Sequence, residues 1–179
     1  MKEASNFIIS EVKESLEKVD PALSEKVCDA ILGARVVFIY GVGRSGLVGK
    51  AFGVRLVQMG LDVHFIGDTT TPIVQKEDLL LVISNTGETM SAVQTANIVG
   101  RIGAEVVVIT SNQQSKLGRT ARIIVEIQPC RKEERSKLAP LGTIFEVASL
   151  IYLDSLVPLL MQKLNQSEAS LRKRHAIWV

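Results

Sequence analysis

Two glycine loops carry the side chains in this sequence best suited to chemistry. The first, GVGRSG (41–46), sets Gly43, Arg44 and Ser45 between outer glycines. The second, SNTGET (84–89), supplies Ser84, Asn85, Thr86, Gly87, Glu88 and Thr89. Each follows an apolar run and opens an amphipathic one, so each reads as a strand-to-helix turn. Backbone amides at a helix N-terminus, joined by side-chain hydroxyls, form a compact cradle for one phosphate monoester. Arg44 either adds positive charge to that cradle or caps a neighbouring carboxylate.

Both loops have alternative explanations. Gly41, Gly43 and Gly46 fit GxGxxG, the dinucleotide fingerprint, and Asp68 stands where a ribose-binding acid would follow the second strand. Against a dinucleotide, Arg44 and Ser45 crowd a turn where a pyrophosphate needs bare backbone. A second anion loop at the end of the third strand also has no part in a dinucleotide site. For SNTGET the structural alternative is a capped helix start, with Thr86 as N-cap and Thr89 in the first turn.

Downstream, Glu146 lies between Phe145 and Val147 in a strongly apolar stretch. Desolvation there would strengthen a carboxylate as a general base. The alternative is an ion pair with a basic residue such as Arg55. His175 follows Arg172, Lys173 and Arg174, either as part of a solvated basic end or as a proton shuttle. His64, inside the second strand, reads as a packed structural residue. There is no His/Asp/Glu cluster at ligand spacing, so neither a metal nor a cofactor is expected.

These side chains need a scaffold, and the hydrophobic pattern names one. Residues 4–19 show helical spacing, and Asp20-Pro21 then caps a second helix that runs to about Gly33. Apolar runs at 36–40, 63–66, 79–83, 106–109 and 123–127 read as strands. Helical stretches at 45–59 and 89–102 end at Gly60 and Gly103. Strands joined by helices of this length form right-handed βαβ units and a parallel sheet covered on both faces. The expected fold is a doubly wound α/β domain: a helical extension over 1–34, a core over 35–130 and C-terminal helices over 138–179. Residues 131–137 (RKEERSK) read as a solvated loop.

Composition agrees. With 179 residues, 46% hydrophobic but only 4% aromatic, the core must be built from Val, Ile, Leu and Ala, the mix of buried parallel strands. A net charge of +2 supplies no electrostatic footprint for nucleic acid or a membrane surface. Residues 141–161 approach the length of a membrane span. Glu146 and Asp154 interrupt them, each costing about 2.5–3.5 kcal/mol at a bilayer centre, so a buried helix is expected, packed on its own sheet and on a second subunit. Cys28 and Cys130, far apart and without a CxxC partner, read as reduced thiols, and the opening residues do not form a signal peptide. A soluble cytoplasmic protein is the expectation.

The chain resembles the sugar isomerase (SIS) domain family. The resemblance rests on GVGRSGLVGKAFGVRL (41–56), GDTTTP (67–72), SNTGET (84–89), PLGTIFE (140–146) and RHA (174–176), spread from Gly41 almost to the end. It implies a flavodoxin-like five-stranded sheet and a homotetramer with active sites built between subunits. It also implies phosphate contacts from Ser45, Ser84, Asn85, Thr86 and Thr89, with Gly43, Arg44, Gly87 and Glu88 completing the substrate-binding set. Thr86 stands where many relatives carry serine and keeps the hydroxyl. Glu146 becomes the proton-transferring base, and His175 a shuttle reaching a neighbouring subunit's site. The reaction implied is cofactor-independent conversion of D-arabino-3-hexulose 6-phosphate to fructose 6-phosphate through an enediol. Other members act on arabinose 5-phosphate or sedoheptulose 7-phosphate, or sense phosphosugars without catalysis. The latter bind DNA through a helix-turn-helix, which two short helices with little basic charge do not supply.

Overall fold

The structure is a computed structural model that describes residues 1–129 and 133–176. Cys130, at the end of the expected core, and the last three residues, from Ile177 onward, lie outside the described residues.

Two helices lead in. The first is α1 (Lys2–Leu16). The second, α2 (Pro21–Gly33), starts as the sequence requires: the Asp20 side chain accepts from the Ala22 amide at 2.9 Å and proline fills the first position. The α/β core follows: β1 (Val37–Gly41), α3 (Arg44–Gln58), β2 (Val63–Phe65), β3 (Leu79–Ile83), α4 (Met90–Ile102), β4 (Glu105–Thr110) and β5 (Ile123–Glu126). The C-terminal part holds α5 (Arg135–Leu138), α6 (Thr143–Lys163) and α7 (Glu168–Lys173).

All strands pair in parallel, in the order β2-β1-β3-β4-β5. This is the flavodoxin-like doubly wound sheet, and β1 and β3 are its neighbours at the point where the winding reverses. Side chains alternate between two cores, as the twofold period of a strand demands. Val37, Ile39, Leu79, Leu81 and Ile83 face α3, α6 and the N-terminal helices. Phe38, Leu80, Val82 and Val108 face α4, whose Ala92, Ala96 and Val99 fill the other layer. β3 is buried at all five positions, which explains its unbroken LLLVI.

Helix α6 is long and apolar enough to cross a membrane by length and composition. One face of it is spent inside the domain: Phe145, Tyr152, Leu153, Leu156 and Leu160 are buried, and the helix packs against α1, α2 and α3. Lys163 at its end joins it to α2 through Glu25 at 2.9 Å and Asp29 at 3.0 Å. Beneath lies Cys28, a free thiol that burial pushes up to about 11.

Local structure departs from expectation at one place. Residues 131–137 were expected as loop; of these 133–137 are described, and Arg135–Leu138 closes one helical turn, with the Leu138 amide donating to Glu134 O at 2.8 Å. Helix α4, expected over 89–102, begins at Met90 with Thr89 at the capping position, and Thr86, the cap of the structural alternative, is not its N-cap.

Candidate active site

Because β1 and β3 pair in register, with Gly41 opposite Ile83, their outgoing loops begin side by side. The first loop is shaped by absent side chains. A Cβ on Gly41 would stand 2.8 Å from the Gly46 nitrogen, and one on Gly46 would strike the Gly41 carbonyl. The strand can turn into α3 this sharply only with glycine at both ends. Gly43, with φ of +60°, caps α3 without a side chain and has open space where a Cβ would sit. Among the described residues no side-chain cap bond satisfies the first amides of α3, and no acidic residue lies in its first turn. That combination favours an anion. Ser45 is buried within that turn.

The second loop is pinned from β4. The Asn85 carbonyl accepts from the Ser111 amide at 2.9 Å, the Ser111 hydroxyl at 2.7 Å and the Thr110 hydroxyl at 3.1 Å. The Gly87 carbonyl accepts from the Leu117 amide at 3.0 Å. Gly87 has φ of +66° and any Cβ there would collide with Ser115. Within this frame the Ser84 hydroxyl lies 3.5 Å from that of Thr89, a loose contact. Thr89 caps α4 without a side-chain bond to the helix amides. Thr86 instead accepts from the Glu88 amide at 3.2 Å, forming a turn inside the loop.

Glu88, expected among the substrate contacts, is directed elsewhere. Its carboxylate accepts from the Lys116 backbone amide at 3.0 Å and pairs with Lys116 Nζ at 3.1 Å. The Lys116 amide, more than any other group, holds the Glu88 carboxyl below its ordinary value. Glu88 is thus a strut between the loop and the turn after β4.

Helix α6 delivers Glu146. Gly142 is its N-cap, and the Glu146 amide closes the first turn onto the Gly142 carbonyl at 2.9 Å. The Glu146 side chain is 13% exposed, and Arg44 Nε donates to its Oε2. Arg55, the partner weighed from sequence, bonds Gln58 instead at 3.1 Å. Glu146 is therefore shielded by an apolar helix but not isolated by it. The pairing in turn raises the pKa of the Arg44 guanidinium above its usual value. A Cβ placed on Gly142 would lie 3.1 Å from Glu146 Oε1 and 3.2 Å from Asn85 Nδ2. The bare glycine thus lets the carboxylate of α6 and the amide of the second loop share one corner.

Arg44, Asn85 and Glu146, read from three separate stretches, are brought together at the carboxyl edge of the sheet. His175 is not. Arg174 donates to the Gln58 carbonyl at 3.3 Å and covers Gly60, at the far end of α3. That helix has 15 residues, about 22 Å of length. His175 itself is exposed, its Nδ1 2.9 Å from the Ala176 carbonyl. His64, expected as a packed structural residue, lies 3.1 Å from Asp62 with its ring tilted against Phe38. Asp68, the acid a dinucleotide would need, faces Lys50 at 3.7 Å. Among the described residues no group of His, Cys, Asp and Glu could hold a metal. Sequence reasoning missed Lys116, Gly142 and the pair Thr110 and Ser111; only two hydroxyls directly after a strand hinted at the last.

Residues 30–153 of this chain match the SIS domain. The chain belongs to the SIS domain family. This SIS domain is 35% identical to a 3-hexulose-6-phosphate isomerase of Methanocaldococcus jannaschii, over 84% of this chain and 81% of that protein. It is 30% identical to the 3-hexulose-6-phosphate isomerase of Bacillus subtilis, over 94% of each. A solved structure from Methanococcus jannaschii, for which a 3-hexulose-6-phosphate isomerase function was inferred, superposes with a TM-score of 0.85 at 31% identity. That match covers 98% of this chain and 97% of the other.

Proposed function

We propose that this SIS domain is a sugar-phosphate isomerase converting D-arabino-3-hexulose 6-phosphate to fructose 6-phosphate, without a cofactor. It works in the cytoplasm as a homotetramer with active sites shared between subunits. Relatives of that name across most of the chain support the reaction class. The observation that carries the reading is the single corner shared by a shielded carboxylate, Glu146, and two phosphate-type loops.

The substrate's phosphate sits against the amides of α3 and the hydroxyls of Ser45, Ser84, Thr86 and Thr89. Holding the non-reacting end turns binding energy into orientation of the reacting carbons. Glu146 takes the proton from C2, and the electrons of that C–H bond form the C2–C3 double bond as O3 gains a proton. The enediol then collapses: O2 loses its proton, the C2 carbonyl forms, and C3 takes the proton back from Glu146. One base serves both carbons because they are adjacent. Asn85 Nδ2 is the donor beside it for the substrate oxygens. His175, 22 Å or so along α3 in its own chain, serves a neighbouring subunit by moving protons between O2 and O3.

Solvent-deuterium exchange tests this. Turnover in D2O puts deuterium at C2 of recovered 3-hexulose 6-phosphate and at C3 of fructose 6-phosphate. Label confined to C1 of a ketose would reassign the chain to an aldose–ketose reaction, as with arabinose 5-phosphate.

A further inference from the structure

We propose that the Arg44–Glu146 ion pair is a latch on the base: the phosphate of an arriving sugar draws Arg44 away, and only then is Glu146 free to take a proton. This rests on the reading of Glu146 as the base.

The pair joins the two functions the site must perform. Arg44 is the first residue of α3, directly after Gly43 and before Ser45, so its side chain springs from the anion-binding turn. Glu146 belongs to the first turn of α6. With Arg44 Nε on its Oε2, the carboxylate has a lone pair committed to the guanidinium. The two ends differ in freedom: the Arg44 side chain is 67% exposed and the Glu146 side chain 13%. Arg44 is the end that can swing.

Charge gives the swing a direction. Among the residues of GVGRSG and SNTGET, Arg44 is the one cation. A phosphate dianion entering between the loops has no other loop side chain to neutralise it. A guanidinium donates two parallel bonds to a phosphate, and the dianion carries twice the charge of the carboxylate. Glu88, the carboxylate within the second loop, is already held by Lys116 and does not compete. When Arg44 leaves, Glu146 is still anchored in the first turn of α6, its amide on the Gly142 carbonyl at 2.9 Å, so the freed carboxylate keeps its place beside the bare Gly142. The latch makes phosphate more than a handle. An unphosphorylated sugar meets a base still tied up, which adds discrimination at the transition state to that of binding.

The coupling must be reciprocal: if phosphate has to break the ion pair, losing the pair must tighten phosphate. Inorganic phosphate is titrated by calorimetry into wild type, E146Q, E146D, R44Q and the R44Q/E146Q double variant, each checked for native melting. E146Q tightens phosphate roughly two- to fivefold, the worth of a solvent-accessible ion pair. E146D keeps the charge but withdraws the contact and also tightens it. In the R44Q background, E146Q changes affinity by less than the same factor. Equal tightening with and without Arg44 would mean plain repulsion between Glu146 and phosphate and would overturn the latch, as would no tightening in either Glu146 variant. The isomerase reading fails separately, by the absence of C2 exchange in wild type, whatever the phosphate titrations give.

Discussion

Glu88 reaches across 28 positions of sequence to clamp Lys116, through the backbone amide at 3.0 Å and the ammonium at 3.1 Å. The carboxyl is held below its usual value near 4.5, first by the Lys116 amide. A carboxylate so depressed stabilises the fold above its unfolded pKa, and the contribution is lost as pH falls through the native value. E88A therefore melts lower than wild type at pH 7, by at most a few degrees because the pair is exposed. The gap closes below pH 4.5. Paired melting curves at neutral and acid pH check this, and a gap that persists in acid would refute it.

Two glycine substitutions are predicted to move stability in opposite directions. Gly100, inside α4, has nothing within 4 Å of an added Cβ, so G100A gains about 0.5–1 kcal/mol from helix propensity and unfolded-state entropy. Gly46 faces the backbone of Gly41, which cannot rotate aside. G46A loses about 1–3 kcal/mol or more and distorts the α3 turn. Urea denaturation of both variants measures the two signs.

E146Q should cut kcat by roughly 10²–10⁴-fold, the usual worth of a positioned general base, without weakening phosphosugar binding. Full turnover in this variant would remove Glu146 from the proton path. Calorimetry with fructose 6-phosphate separates lost chemistry from lost binding.

His175 tests the sharing of sites. In its own chain it stands at the end of α3 opposite Arg44. E146Q and H175N, each inactive alone, should regain activity when unfolded together and refolded. A site that takes Glu146 from one subunit and His175 from another is intact in roughly one quarter of random pairings. No recovery, with mixed oligomers verified by mass, would mean that His175 acts in no neighbouring site.

The sheet and the two loops were legible because short-range pattern governs them. An unbroken LLLVI directly before a glycine turn suits a strand buried on both faces, and a glycine pair after an apolar run marks a strand that turns at once into a helix. Capping detail was not legible. Thr86 and Thr89 both suit an N-cap, and the choice went to Thr89 because Asn85 and Gly87 are held by β4 and its following turn. Those contacts are separated by some 25 residues.

Residue identities by themselves determined the parallel α/β domain, from apolar runs and helices alternating along 36–127, and the phosphate-suited loops, from glycine and hydroxyl spacing within one segment; for Glu146 they left a base and an ion pair both open. Only the tertiary structure decided what Glu146 meets. Arg44 and Arg55 lie on one helix, 11 positions or about 16 Å apart. Which of them reaches the carboxylate depends on how far along α3 the first turn of α6 comes to rest. Packing of α6 on α1, α2 and α3 sets that position, and it put Glu146 beside the first glycine loop.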